Sequence, residues 1–171
     1  MAIYVTANMQ LGRPSAIKKY SRDYPDVDEM TKKMIDKWNE VVTKDDVVYH
    51  IGNFAWDPKT AQEALLRLNG QIYFIMGEHD QALETLETKG MLRARTQIVD
   101  DIVELKDQGV ILSYWPMKVW PNKSKKYYSV IGYPLKKYKS DPKERVINAA
   151  TDFWSNKPQN LVKLVEIFAD F

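Results

Sequence analysis

Short apolar runs that stop abruptly at glycine or a polar cluster set what this chain can fold into. Val47–Ile51 runs into Gly52, residues 71–76 into Gly77 and 110–114 into Trp115 and Pro116, while 127–132 ends in Gly132 itself. Runs of that length bounded by turn residues predict strands. Residues 2–6, β-branched or aromatic at alternate positions, add another at the start. Amphipathic helices lie between them. In residues 28–43, Met30, Met34, Trp38 and Val41 or Val42 recur three or four apart, with Lys32, Lys33, Asp36 and Lys37 mostly on the other face. Pro58 opens a second helix that Asn69-Gly70 closes, and Gln81–Thr88 reads as a third. The second half changes character. Residues 97–105 and 110–114 flank Lys106-Asp107-Gln108-Gly109, a hairpin turn. Residues 145–149 form a further strand, and 161–168 a closing helix with Leu161, Leu164, Val165 and Phe168 on one side. Alternating strand and helix followed mainly by strands predicts an α/β fold of two packed mixed β-sheets flanked by helices. One domain over residues 1–171 is expected.

Composition narrows the function classes. No apolar run approaches the roughly 20 residues that span a bilayer, so a membrane partner is not expected. Met1-Ala2-Ile3-Tyr4-Val5 lacks a basic leader, which argues against a signal peptide. The absence of cysteine rules out disulfides and thiolate metal sites and suits a reducing cytoplasm. A net charge of +2 hides a local asymmetry: between Pro116 and Arg145, eight lysines and one arginine stand against Asp141 and Glu144 alone. Trp120, Tyr127, Tyr128, Tyr133 and Tyr138 are interleaved with them. Cations among aromatics suit phosphates and stacked bases, and equally a lysine-coated hairpin that keeps a protein soluble. There is no Walker loop, no glycine-rich nucleotide fingerprint and no Ser–His–Asp signature.

Five short stretches carry the chemistry. They are Thr6-Ala7-Asn8-Met9-Gln10-Leu11-Gly12, His50-Ile51-Gly52-Asn53-Phe54-Ala55, Met76-Gly77-Glu78-His79-Asp80, Leu112-Ser113-Tyr114-Trp115-Pro116 and Ile131-Gly132-Tyr133-Pro134-Leu135. Each begins where a predicted strand ends, and loops at strand ends are where α/β folds gather groups from distant positions. In order and surroundings they resemble the calcineurin-like metallophosphoesterases of the small bacterial and phage type. The motifs of that family read D-x-H, G-D, G-N-H-D, S-H and G-H-x-H. The segments between carry the likeness too, among them Leu68-Asn69-Gly70 before the third motif and residues 145–154 near the end.

In that family two divalent ions about 4 Å apart clamp a phosphate and activate a bridging hydroxide. The resemblance puts Asn8, Gln10, Asn53 and Leu135 at the first ion's positions, and Asn53, Glu78, Tyr114 and Tyr133 at the second's. Neutral amides thus replace the family's two aspartates, and Gln, Tyr, Tyr and Leu replace its four histidines. Amide oxygens and un-ionised tyrosines are poor ligands for hard dications, and Leu135 offers no lone pair. No metal, no cofactor and no hydrolytic activity are therefore expected. His79-Asp80 matches the family, where the histidine donates a proton near the leaving group and the carboxylate holds it. Without an electrophile or nucleophile the pair cannot hydrolyse a phosphoester at a useful rate, and bracing its loop is expected ahead of a catalytic role. Arg13 stands where relatives place another histidine near the substrate, and suits either a bidentate phosphate grip or an exposed loop. His50 reads as a packed scaffold residue.

Three functions follow as expectations. The leading one is a pseudoenzyme that binds an unknown protein partner through aromatics such as Trp115, Trp120, Tyr127 and Tyr128. A second is a metal-free binder of a nucleotide or nucleic acid. It would use Asn8, Gln10, Arg13, Asn53, Glu78, His79, Tyr114 and Tyr133 together with the basic segment 116–145. The third is residual hydrolysis with one weakly held ion at Glu78, Asn8 and Asn53.

Overall fold

The computed structural model describes residues 1–171. The elements run β1 (Ile3–Thr6), α1 (Ser15–Lys19), α2 (Val27–Val41), β2 (Val47–Ile51), α3 (Pro58–Arg67), β3 (Gln71–Ile75), α4 (Gln81–Thr88) and β4 (Thr96–Ile98). There follow β5 (Ile102–Leu105), β6 (Val110–Ser113), β7 (Tyr128–Ile131), β8 (Val146–Asn148), β9 (Gln159–Asn160) and α5 (Leu161–Ala169). Two mixed sheets result, ordered β4-β3-β2-β1-β9 and β5-β6-β7-β8. In the first, β1 to β4 are parallel and β9 is antiparallel to β1. In the second, β6, β7 and β8 are parallel and β5 is antiparallel to β6.

Local chemistry accounts for the helices. Asp26 caps α2 by accepting from the Glu29 amide at 2.8 Å, and Asp57 caps α3 by accepting from the Thr60 amide at 2.9 Å, with Pro58 in the first turn. Met30, Met34 and Trp38 of α2 join Leu65 of α3, Leu83 of α4 and Val48, Ile72 and Phe74 of the strands in one core between helices and first sheet. The other face of that sheet supplies Val5, Ile51 and Ile75, which pack on Val110, Leu112, Val130 and Ile147 of the second sheet and on Leu161, Leu164 and Phe168 of α5. Both faces of the first sheet are covered, which is why its strands read as nearly unbroken apolar runs.

One expectation is corrected. Residues 97–105 are not a single strand: they divide at Asp100-Asp101 into β4 and β5, which belong to different sheets. Both aspartates are exposed and occupy the crossing between layers. The short strand β9, placed at an edge by two pairings to β1, has no apolar pattern that could announce it.

The sheets meet most tightly at the ends of β2, β3, β6 and β7. A β-carbon on Gly132 would lie 1.8 Å from the Ile51 carbonyl oxygen, and one on Gly52, whose φ is +86°, would lie 2.3 Å from the Tyr114 ring. Residues other than glycine cannot occupy either position without moving backbone or ring. Thr151 donates its amide to the Ala7 carbonyl at 2.9 Å, and so ties the end of β8 to the end of β1.

His50 is wholly buried, edge-on to Phe54 at 5.3 Å and against Phe74 at 5.6 Å, and neither ring nitrogen has a partner. Burial lowers its pKa from 6.5 to about 3. The unfolded chain therefore binds the proton more readily, so the stability tied to this group is complete above pH 6.5 and lost as pH falls toward 3. Between pH 7 and pH 4 the loss should be on the order of 3 kcal/mol. Urea midpoints measured at both pH values should fall less in His50→Phe than in the parent; an equal fall would place the acid sensitivity elsewhere.

Candidate functional site

Asn8, Gln10 and Asn53 follow β1 and β2 directly, and all three adopt left-handed backbone, with φ of 59°, 50° and 61°. Asparagine tolerates that region; glutamine does so less readily, and such conformations persist only where surroundings impose them. Here the surroundings are a backbone ladder between the two loops. Asn8 donates to the Gly52 carbonyl at 2.8 Å, Gln10 to Asn53 at 2.9 Å and Leu11 to Phe54 at 3.0 Å, while Trp56 returns a bond to Leu11 at 2.8 Å.

The side chains form two hydrogen-bonded lines. In the first, Arg13 Nη1 donates to Gln10 Oε1 at 2.6 Å, Gln10 Nε2 to Asn8 Oδ1 at 2.7 Å, and Asn8 Nδ2 to Asp152 Oδ2 at 2.9 Å. In the second, the His79 backbone amide donates to Asn53 Oδ1 at 3.0 Å, Asn53 Nδ2 to the Tyr114 hydroxyl at 3.1 Å, and that hydroxyl to Glu78 Oε1 at 3.1 Å. A longer bond of 3.4 Å from Asn53 Nδ2 to Asn8 Oδ1 joins the lines. Each amide's orientation is dictated by a partner of fixed polarity, since arginine and a backbone N–H can only donate and a carboxylate only accepts.

The structure thus brings together the eight residues singled out from the sequence, for Tyr133 also packs its ring against Tyr114 at 5.7 Å. Asn8, Gln10, Asn53 and Tyr114 are buried beneath the others. Burial, with the charge of Glu78 adding to it, raises the Tyr114 phenol above its ordinary pKa of 10, so it remains a neutral donor. Asp80 is the hub of the third loop and accepts from the amides of Asn53, Phe54 and Gly77 at 2.7, 2.8 and 2.7 Å. Burial raises its pKa, and these three amides pull against that rise. Leu135 stands apart from both lines: it is exposed and shares a separate cleft with Tyr20 and Phe153.

The residues do not fit a pair of dications. No three His, Cys, Asp or Glu side chains converge to hold an ion. The amide oxygens that would face a metal already accept hydrogen bonds, and Glu78 accepts from Tyr114. What the arrangement offers is a closed floor with a polar and aromatic rim. On that rim Arg13 lies over Trp56 at 4.3 Å, and Trp56 faces the His79 ring at 5.7 Å. Trp115 lies 5.0 Å from Tyr114 and 5.3 Å from Tyr133.

Arg22 is a member that sequence reasoning missed. Buried at 2% side-chain exposure, it pairs with Asp152 through Nε at 2.8 Å and Nη2 at 3.1 Å, and Nη1 donates to the Met9 carbonyl at 2.7 Å. It also donates to the Asn8 carbonyl, so one guanidinium fixes the backbone of the first loop. Nothing in Ser21-Arg22-Asp23 distinguishes this arginine from a surface one. Trp56 was legible in principle, as an aromatic just beyond the second motif. Trp120 is corrected: it is 4% exposed and donates Nε1 to the Tyr127 carbonyl at 3.0 Å, so it packs inside rather than meeting a partner.

No family profile matches the sequence. Over 82 residues the chain is 38% identical to an uncharacterized protein of Methanocaldococcus jannaschii, a stretch covering 46% of this chain and 47% of the relative. The match therefore extends over about half of either protein. A crystal structure of a protein of unknown function from Aquifex aeolicus aligns with a TM-score of 0.66 at 19% identity, over 97% of this chain and 98% of that one. At that identity the likeness concerns the fold.

Asn53→Asp tests the network. It replaces the donor to Tyr114 by an acceptor and buries a charge near Glu78 and Asp80, which should cost about 3 kcal/mol at pH 7. Protonation of the new carboxyl restores a donor, so the deficit should shrink as pH falls toward 5. A deficit that grows on acidification, seen in urea unfolding, would contradict the network as drawn.

Proposed function

We propose that this chain is a catalytically silent member of the calcineurin-like metallophosphoesterase family that serves as a protein-binding module. The closed floor carries this reading. At the positions where the family holds two ions, Asn8, Gln10, Asn53, Tyr114 and Glu78 bond to one another. A network with Glu78 as its one carboxylate among these five fills with hydrogen bonds the place where paired dications would compensate clustered carboxylates, so the loops keep their shape without metal. The fold holds no helix long and apolar enough to cross a membrane. The lack of cysteine accords with a cytoplasmic protein.

The rim supports a binding role. Trp56 and Trp115 are 48% and 54% exposed, and Leu135 and Phe153 add apolar surface beside Tyr20, whose hydroxyl accepts from Gln10. Large, half-exposed aromatics anchored on a rigid floor are the usual centres of protein contacts.

Thermal unfolding with Mn²⁺, Zn²⁺ or Mg²⁺ should leave the midpoint unchanged, and phosphodiester turnover should be absent. Stoichiometric metal uptake with turnover abolished by Glu78→Ala would overturn the reading. The family assignment has its own test. A variant carrying Asn8→Asp, Gln10→His, Asn53→Asp, Glu78→Asn, Tyr114→His, Tyr133→His and Leu135→His should be destabilised without metal. It should regain stability and bind two Mn²⁺ ions. If this variant folds yet takes up no metal, the correspondence of loops is wrong.

A further inference from the structure

Beside the closed floor, on the outer face of the second sheet, lies an open cleft of about 490 Å³. Its base is Ile131 of β7 and Val146 of β8; its walls carry Trp115, Tyr133 and Tyr138. Lys118, Lys137 and Lys139 also line it, and none of them is in a salt bridge. The acids on the cleft are differently disposed. Asp141 Oδ1 accepts from the amides of Lys143 and Glu144, and Glu144 pairs with Lys123 at 3.5 Å.

The aromatic wall is held rigid from beneath. Asn148, wholly buried, donates through Nδ2 to the Tyr133 carbonyl at 2.8 Å and to the Tyr138 carbonyl at 3.0 Å, and its Oδ1 accepts from Ala150 at 2.9 Å. One amide thus clasps both ends of the loop from Tyr133 to Tyr138. The rings follow: Tyr133 stands 5.3 Å from Trp115 and 5.3 Å from Tyr138, and Lys137 Nζ sits 4.9 Å over the Tyr138 ring. Trp115 remains more than half exposed.

We infer that this cleft binds a nucleobase with its attached phosphate, the base against Trp115, Tyr133 and Tyr138 and the phosphate on Lys118, Lys137 and Lys139. Its volume lies within the range of about 300–1,000 Å³ usual for small-molecule sites. Pre-positioned rings take a planar base by stacking whatever its sequence identity. Unpaired ammonium groups bind phosphate as point charges without fixed geometry. An uncharged apolar ligand would leave the lysines unused, and a simple anion would leave the rings unused. The site shares Trp115 and Tyr133 with the rim but uses none of the hydrogen bonds of the buried amide network, and neither reading depends on the other.

Calorimetric titration of the full chain with AMP, adenosine, inorganic phosphate and a single-stranded hexanucleotide is the test. AMP should bind more tightly than adenosine or phosphate, and weaken as salt rises. Trp115→Ala should lower the affinity for AMP roughly tenfold or more, the scale of one lost stacking contact. Lys137→Gln with Lys139→Gln should remove most of the difference between AMP and adenosine. Lys137 and Lys139 are exposed, so the lysine variant should keep the parent's unfolding midpoint, while Trp115→Ala, which loses packing on Tyr114 and Tyr133, should lower it only modestly and stay folded at the titration temperature. Tighter binding of the hexanucleotide than of AMP would assign the base and phosphate to a nucleic-acid strand, the reverse order to a free nucleotide; either supports the site. No heat or affinity for AMP and the oligonucleotide at millimolar concentration, or affinity indifferent to Trp115→Ala, would overturn it.

Discussion

The carbonyl of Ile51 occupies the space where residue 132 would need a β-carbon, and this contact sets the geometry of everything at that end of the molecule. Two sheets packed face to face ordinarily stand about 10 Å apart, with side chains filling the gap. Here the layers touch through backbone at Gly132, and the Tyr114 ring presses on Gly52 and Gly77. Loops from β1, β2 and β3 on one sheet and from β6 on the other are thereby drawn into hydrogen-bond range, and the loop after β7 lays the Tyr133 ring against Tyr114.

Once the loops are that close, their side chains must satisfy one another or be desolvated without return. The two lines of bonds meet this requirement with groups that are nearly all neutral. Three of their four ends are charged and lie at or toward the surface, Arg13 and Glu78 at the rim and Asp152 beside Arg22, and the fourth is the His79 backbone amide. The Arg22–Asp152 pair is the one strongly buried ion pair, and its remaining donors go to backbone carbonyls rather than being left unpaired. Breaking such a pair by removing one partner is commonly costly, because the other charge is left buried. The left-handed backbone of Asn8, Gln10 and Asn53 is held by the same contacts, so loop conformation and network stand or fall together.

The surface above this floor is divided by the Tyr133–Tyr138 loop. One side carries the rim of Arg13, Trp56, Glu78 and His79; the other carries the aromatic cleft with its free lysines. Tyr133 and Trp115 belong to both, as rings packed on Tyr114 and as walls of the cleft. Protein contact and nucleotide contact are therefore separable by substitution, since Trp56 lies on the rim alone and Lys137 on the cleft alone.

The sequence by itself determined the layered α/β plan, because apolar runs of strand length and helical spacing follow from local periodicity and from cap residues such as Asp26, Asp57 and Pro58. It also marked the five loops that follow its strands, and the resemblance of those loops to metallophosphoesterase motifs singled out Asn8, Gln10, Asn53, Glu78, Tyr114 and Tyr133 within them. Three things were decided only by tertiary structure. Asp100-Asp101 could not announce a change of sheet, because pairing partners, not local composition, define a sheet's edge. Arg22 and Asn148 look like ordinary polar loop and strand residues until the chain closes over them and makes each a buried donor to two carbonyls. And whether five loops enclose an open pocket or a filled floor depends on how closely two sheets approach at Gly52, Gly77 and Gly132, which a one-dimensional pattern does not encode.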